Sequence, residues 1–82
     1  MRVGDRIVLH FIDEQTARPT LFVVVDGESI LKMGRLGVDS PLAKELADIE
    51  IGEEFVFRSE GAEQNILFVA KQPSYDLSMA AE

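Results

Sequence analysis

Ser40-Pro41-Leu42-Ala43-Lys44-Glu45-Leu46-Ala47-Asp48 is the stretch that decides the fold of this 82-residue chain, because here an extended pattern gives way to a helical one. A serine before a helix accepts hydrogen bonds from the orphan amides of the first turn, and a proline fits that turn because it has no amide to satisfy. Leu42, Ala43 and Leu46 fall on one side at spacings suited to a buried stripe, while Lys44, Glu45 and Asp48 fall on the other. The pattern predicts one short helix from Pro41 to about Asp48.

On either side of it the chain reads as strands. Downstream, Ile49 to Glu54 is a turn into Phe55–Arg58, where Phe55 and Phe57 share a face. Glu60-Gly61-Ala62-Glu63 reads as a turn, and Asn65 to Lys71 as a last strand, apolar on both faces. Upstream, Arg35 to Asp39 is a short strand, and Glu28 to Leu36 has no secure period and reads as loop or irregular strand. Asp5 to Asp13 carries Ile7, Leu9 and Phe11 on one parity and Val8, His10 and Ile12 on the other, the mark of a central strand. The polar residues 13–17 lead by the simplest connection, a hairpin, to a second strand, Arg18 to Val25. Pro19 sits near its start and Asp26-Gly27 breaks its end. This order of elements predicts an α+β domain, a curved antiparallel sheet of four to five strands packed on one short helix. The domain is expected to span residues 1–73, followed by a flexible tail over 74–82.

Composition narrows the function. A chain of this length builds one core, and 46% apolar with 28% charged residues is ordinary for a globular domain. The absence of cysteine excludes disulfides, thiolate ligands and cysteine nucleophiles, and fits the cytoplasm. Residues 1–5 lead into an amphipathic segment without a signal-peptide pattern, and no apolar run is long enough for a membrane helix. Fifteen acidic against eight basic residues give a net charge of −7, which repels phosphate backbones. Direct nucleic-acid binding is therefore not expected, and a basic protein surface is the natural complement.

Val38 to Leu46, followed by Ile49-Glu50-Ile51-Gly52-Glu53-Glu54-Phe55-Val56-Phe57, resembles the C-terminal domain of Gre-type bacterial transcription elongation factors. In that family a strand runs into Ser-Pro, then a short helix of the type apolar-Ala-x-x-Leu, then apolar-Gly-acid and a further strand. Val3 to Leu9 and Leu21 to Val25 occupy the place of the family's first hairpin, so the resemblance covers roughly residues 3 to 71. It implies an FKBP-like fold, in agreement with the element order read from the residues. It also implies docking on the rim of the RNA polymerase secondary channel, against a coiled coil of the β′ subunit. The matching residues are Asp39, Ser40 and Pro41, with Leu42 beside them. The family's N-terminal coiled coil, whose acidic tip helps place a magnesium ion for transcript cleavage, has no counterpart here. The segment from Gly27 to Gly34 is shorter than the family's usual connection.

Each candidate also has a plainer structural reading. Ser40 and Pro41 serve as a helix cap whatever else they do. His10, the single histidine, has no neighbouring carboxylate or serine and reads as a strand residue. Asp13-Glu14 and Glu53-Glu54 read as solvated charge beside turns, lacking the spacing of a calcium loop. The five phenylalanines read as core. No cofactor or metal is expected. Prolyl isomerisation, suggested by the FKBP-like fold, is the competing enzymatic reading. It is disfavoured because the chain has no tryptophan to floor an aromatic pocket and its one tyrosine is Tyr75. An interaction domain for an unrelated partner, or a homodimer, is the third.

Overall fold

The computed structural model describes residues 1–15, 18–59 and 61–73, with the backbone but not the side chain of Ser59. The tail expected beyond Pro73, Tyr75 included, lies outside the described residues. Five strands and one helix follow in the order β1 (Arg6–Phe11), β2 (Thr20–Val25), β3 (Arg35–Gly37), α1 (Pro41–Ala47), β4 (Glu54–Ser59) and β5 (Ala62–Gln72). They form one curled sheet in the spatial order β3-β2-β1-β5-β4, with the short helix against it. This is the α+β class that the residue pattern predicts, with β1 at the centre of the sheet.

The apolar alternation determines which way each strand faces. Ile7 and Leu9 of β1, Phe22 and Val24 of β2, Leu36 of β3, and Ile66 and Phe68 of β5 are buried together with Leu42, Ala43 and Leu46 of α1. Phe11, Phe55 and Phe57 pack half-buried around them, so all five phenylalanines belong to the core or its margin. The rings of Phe11 and Phe22 meet edge to face, centroids 6.3 Å apart.

Some boundaries differ from the sequence reading. Ile12 and Asp13 leave β1 for the turn, since the pairing of β1 with β5 ends at Phe11↔Ile66. Ala62 and Glu63 belong to β5 rather than to a turn. They pair with Ser59 and Arg58, which leaves only Glu60 and Gly61 between the two strands. Gly61 has φ +79°, a conformation glycine adopts without cost in a tight hairpin.

The larger difference is the pairing of β3. The expected sheet is antiparallel, and β1–β2, β1–β5 and β4–β5 are, but β3 lies parallel to β2, with Val23, Val24 and Val25 beside Arg35, Leu36 and Gly37. The route of residues 26–34 explains it. The chain leaves β2 at Val25, bends at Gly27 to run back one strand further out, and turns inward through a 3-10 turn, Leu31–Met33, closed by Gly34 at φ +72°. β3 then slots between β2 and the outgoing segment. Ile30 and Arg35 form an antiparallel bridge, and the Gly37 amide donates to Ser29 Oγ at 2.7 Å. Gly37 is buried so tightly in this slot that a Cβ would collide with the Gly27 carbonyl.

Candidate functional site

The turn between β3 and α1 is built around Ser40. Its Oγ accepts from the Ala43 amide at 3.3 Å, the cap expected of it, and donates to the Gly37 carbonyl at 2.7 Å. The Ser40 amide donates to the same Gly37 carbonyl at 3.0 Å, so one oxygen ties the turn to the end of β3 twice. Pro41 occupies the first helical turn. Together these bonds hold Asp39 and Pro41 in fixed positions on the surface, where both are exposed.

The four residues singled out by the sequence do not present themselves alike. Asp39 and Pro41 face solvent, Ser40 is half-buried in its own hydrogen bonds, and Leu42 is 3% exposed. Leu42 belongs to the core and offers a partner only its edge. That edge lines a shallow depression of about 180 Å³ beside the turn, shared with Ser29, Leu31, Leu36, Ser40, Pro41 and Phe57. Sequence reasoning did not find Leu31 as part of this surface. Three residues of 3-10 turn have no hydrophobic period to detect, and only the folding back of residues 27–34 brings Leu31 beside the helix start. On its other flank Leu31 borders a wider opening of about 460 Å³ with Phe11, Phe22 and Gln64.

The remaining candidates take structural places. His10 is half-buried in β1 opposite Leu67. Glu53 accepts from the Glu50 amide at 3.3 Å in the turn before β4. Asp13, read as solvated charge, is exposed as expected and also accepts from both the backbone amide and the side-chain amide of Asn65, at 2.8 and 3.0 Å. These bonds hold its carboxyl below its ordinary pKa, the side-chain bond contributing most. Among the described residues no group of acidic or histidine side chains is arranged to hold a metal ion, and no helix is long and apolar enough to cross a membrane.

Comparison of the chain with protein-family models, with curated proteins and with solved structures gives no match in any of the three. The likeness to Gre-type C-terminal domains therefore rests on the quoted residues themselves.

Proposed function

We propose that this chain is a protein-docking domain that seats the exposed Asp39–Pro41 turn and the adjoining apolar depression on a partner, without catalysing a reaction. The observation that carries the reading is the double anchoring of Ser40 to Gly37 and Ala43. It makes the turn a rigid knob with a carboxylate and a proline at its tip and an apolar hollow at its side. Rigid polar groups on surface turns, backed by a dry apolar patch, are common binding determinants because little entropy is lost on docking.

The partner in this proposal is bacterial RNA polymerase, at the β′ coiled coil on the secondary-channel rim, in the cytoplasm. Support comes from the resemblance of residues 38–57 to the Gre-type docking segment and from a net charge of −7, which suits a basic protein surface. Bound there, the domain competes with Gre factors for the rim without stimulating transcript cleavage itself. The test is the affinity of purified polymerase for the wild-type domain and for Asp39→Arg, read directly and by competition with a full-length Gre factor. Charge reversal at the contact is expected to weaken binding by at least tenfold, or about 1.4 kcal/mol or more. Wild-type affinity in the folded variant defeats the site assignment, and no binding by either protein defeats the partner. A cis-trans assay on proline peptides, expected to show only the uncatalysed rate, addresses the enzymatic alternative.

A further inference from the structure

The two edges of the sheet are treated differently. β3 is three residues long, and the chain covers its outer side, with Ile30 bonded to Arg35 in both directions and Ser29 Oγ receiving the Gly37 amide. β4 runs for six residues, and no described residue hydrogen-bonds to its outer side. The register shows which groups lie there. The Phe68 amide donates to the Glu53 carbonyl, while the carbonyl of Asn65, opposite Val56, accepts from Ile12 on the far side of β5. Both bonds assign residues 53, 55 and 57 to the β5 side. The amides and carbonyls of Glu54, Val56 and Arg58 therefore point outward, away from β5. An edge that no described residue pairs with is a template for another strand.

We infer that the β4 edge pairs with the β4 edge of a second copy of this chain, antiparallel about a two-fold axis through Val56. The residue sequence is self-complementary in that register. Val56 faces Val56 of the second copy, and Glu54 faces Arg58 of the second copy, once on each side of the axis. Glu54, Val56 and Arg58 are also the residues whose backbone groups point outward, so every facing pair in this set exchanges backbone hydrogen bonds. Their side chains share the face turned away from the core. There Val56 is 46% exposed, and opposite charges directly across a strand pair stabilise it. Arg58 already leans toward that face through a 3.3 Å ion pair with Glu63, which places it between two carboxylates in the dimer. Phe55 and Phe57 stay on the core side. A groove of about 280 Å³ lies between Val56, Phe57 and Arg58 of the strand and Pro41 and Glu45 of the helix.

The test is sedimentation of the whole chain up to millimolar concentration at physiological salt, where the mutual repulsion of two acidic copies is screened. A reversible dimer is expected. Glu54→Arg and Arg58→Glu should each weaken it roughly tenfold, because each puts like charges opposite one another twice, and the double exchange should restore it. Hydrogen exchange gives an independent reading on the unaltered protein. The amides of Val56 and Arg58 should gain protection as concentration rises, while that of Phe57, already bonded to β5, should not change. A monomer at every concentration, a dimer indifferent to the charge exchange, or Val56 and Arg58 amides equally exposed throughout would each overturn the inference. The β4 edge adjoins the docking turn at Pro41 but does not include Asp39, and Asp39→Arg is expected to leave self-association intact.

Discussion

Asp13 and Asn65 lie 52 positions apart and are joined at the end of the β1–β5 pair by a carboxylate that accepts from both amides of the asparagine. Just beyond the last strand pairing, the Ile12 amide donates to the Asn65 carbonyl at 3.0 Å, so the two segments are clamped where β1 turns away. The ordinary carboxyl value of 3.8 is lowered by these bonds. A carboxyl lowered in the folded state contributes stability that is fully present above its unfolded value and lost as pH falls through the folded one. Stability should therefore drop below about pH 4, and Asp13→Asn should lessen that drop. Denaturation of both proteins across the acid range checks it, and identical acid slopes would dismiss the clamp.

Leu46 is 2% exposed, the last residue of the buried stripe Leu42, Ala43 and Leu46 that α1 lays on the sheet. Truncation there leaves a cavity that so short a helix is poorly able to close, and Leu46→Ala should cost about 2–5 kcal/mol. Urea unfolding measures it. A loss under half a kcal/mol would mean that the helix does not pack by this face.

The cap and the exposed tip of the β3–α1 turn should separate cleanly in stability. Ser40→Ala removes the acceptor for Ala43 and a donor to Gly37, and should cost roughly 1–2 kcal/mol. Asp39→Arg touches an exposed side chain and should stay within about 0.5 kcal/mol of wild type. Thermal melts of the two variants compare them directly.

Gly37 tolerates no side chain in the slot between β2 and the outgoing segment. Its φ is not in the left-handed region, so the obstacle is space rather than backbone strain. Gly37→Ala should destabilise by about 1–3 kcal/mol, the usual range for overpacking against a backbone that must shift. Gly27→Ala has open space instead, and its cost should come from φ +114° alone. Equal stability of Gly37→Ala and wild type would show that residues 27–30 do not hold β3 in place.

Much of this protein was legible in its sequence, because local patterns answer local questions. The Ser40-Pro41 start, the Leu42-Ala43-Leu46 stripe and the double-faced apolar pattern of β1 follow from hydrogen-bond satisfaction and side-chain period, which operate within a few residues. The class of fold and the central place of β1 came with them. What only the tertiary structure decided are relations between segments. The parallel placement of β3 depends on residues 26–34 doubling back outside it, which no period encodes. The role of Asp13 depends on Asn65, and Leu31 reaches the candidate site only through that same return of the chain. The burial of Leu42 and the exposure of Asp39 and Pro41 likewise separate residues that looked equivalent in sequence. Neighbours along the chain share a spacing, but which of them meets solvent is settled by what packs across from them.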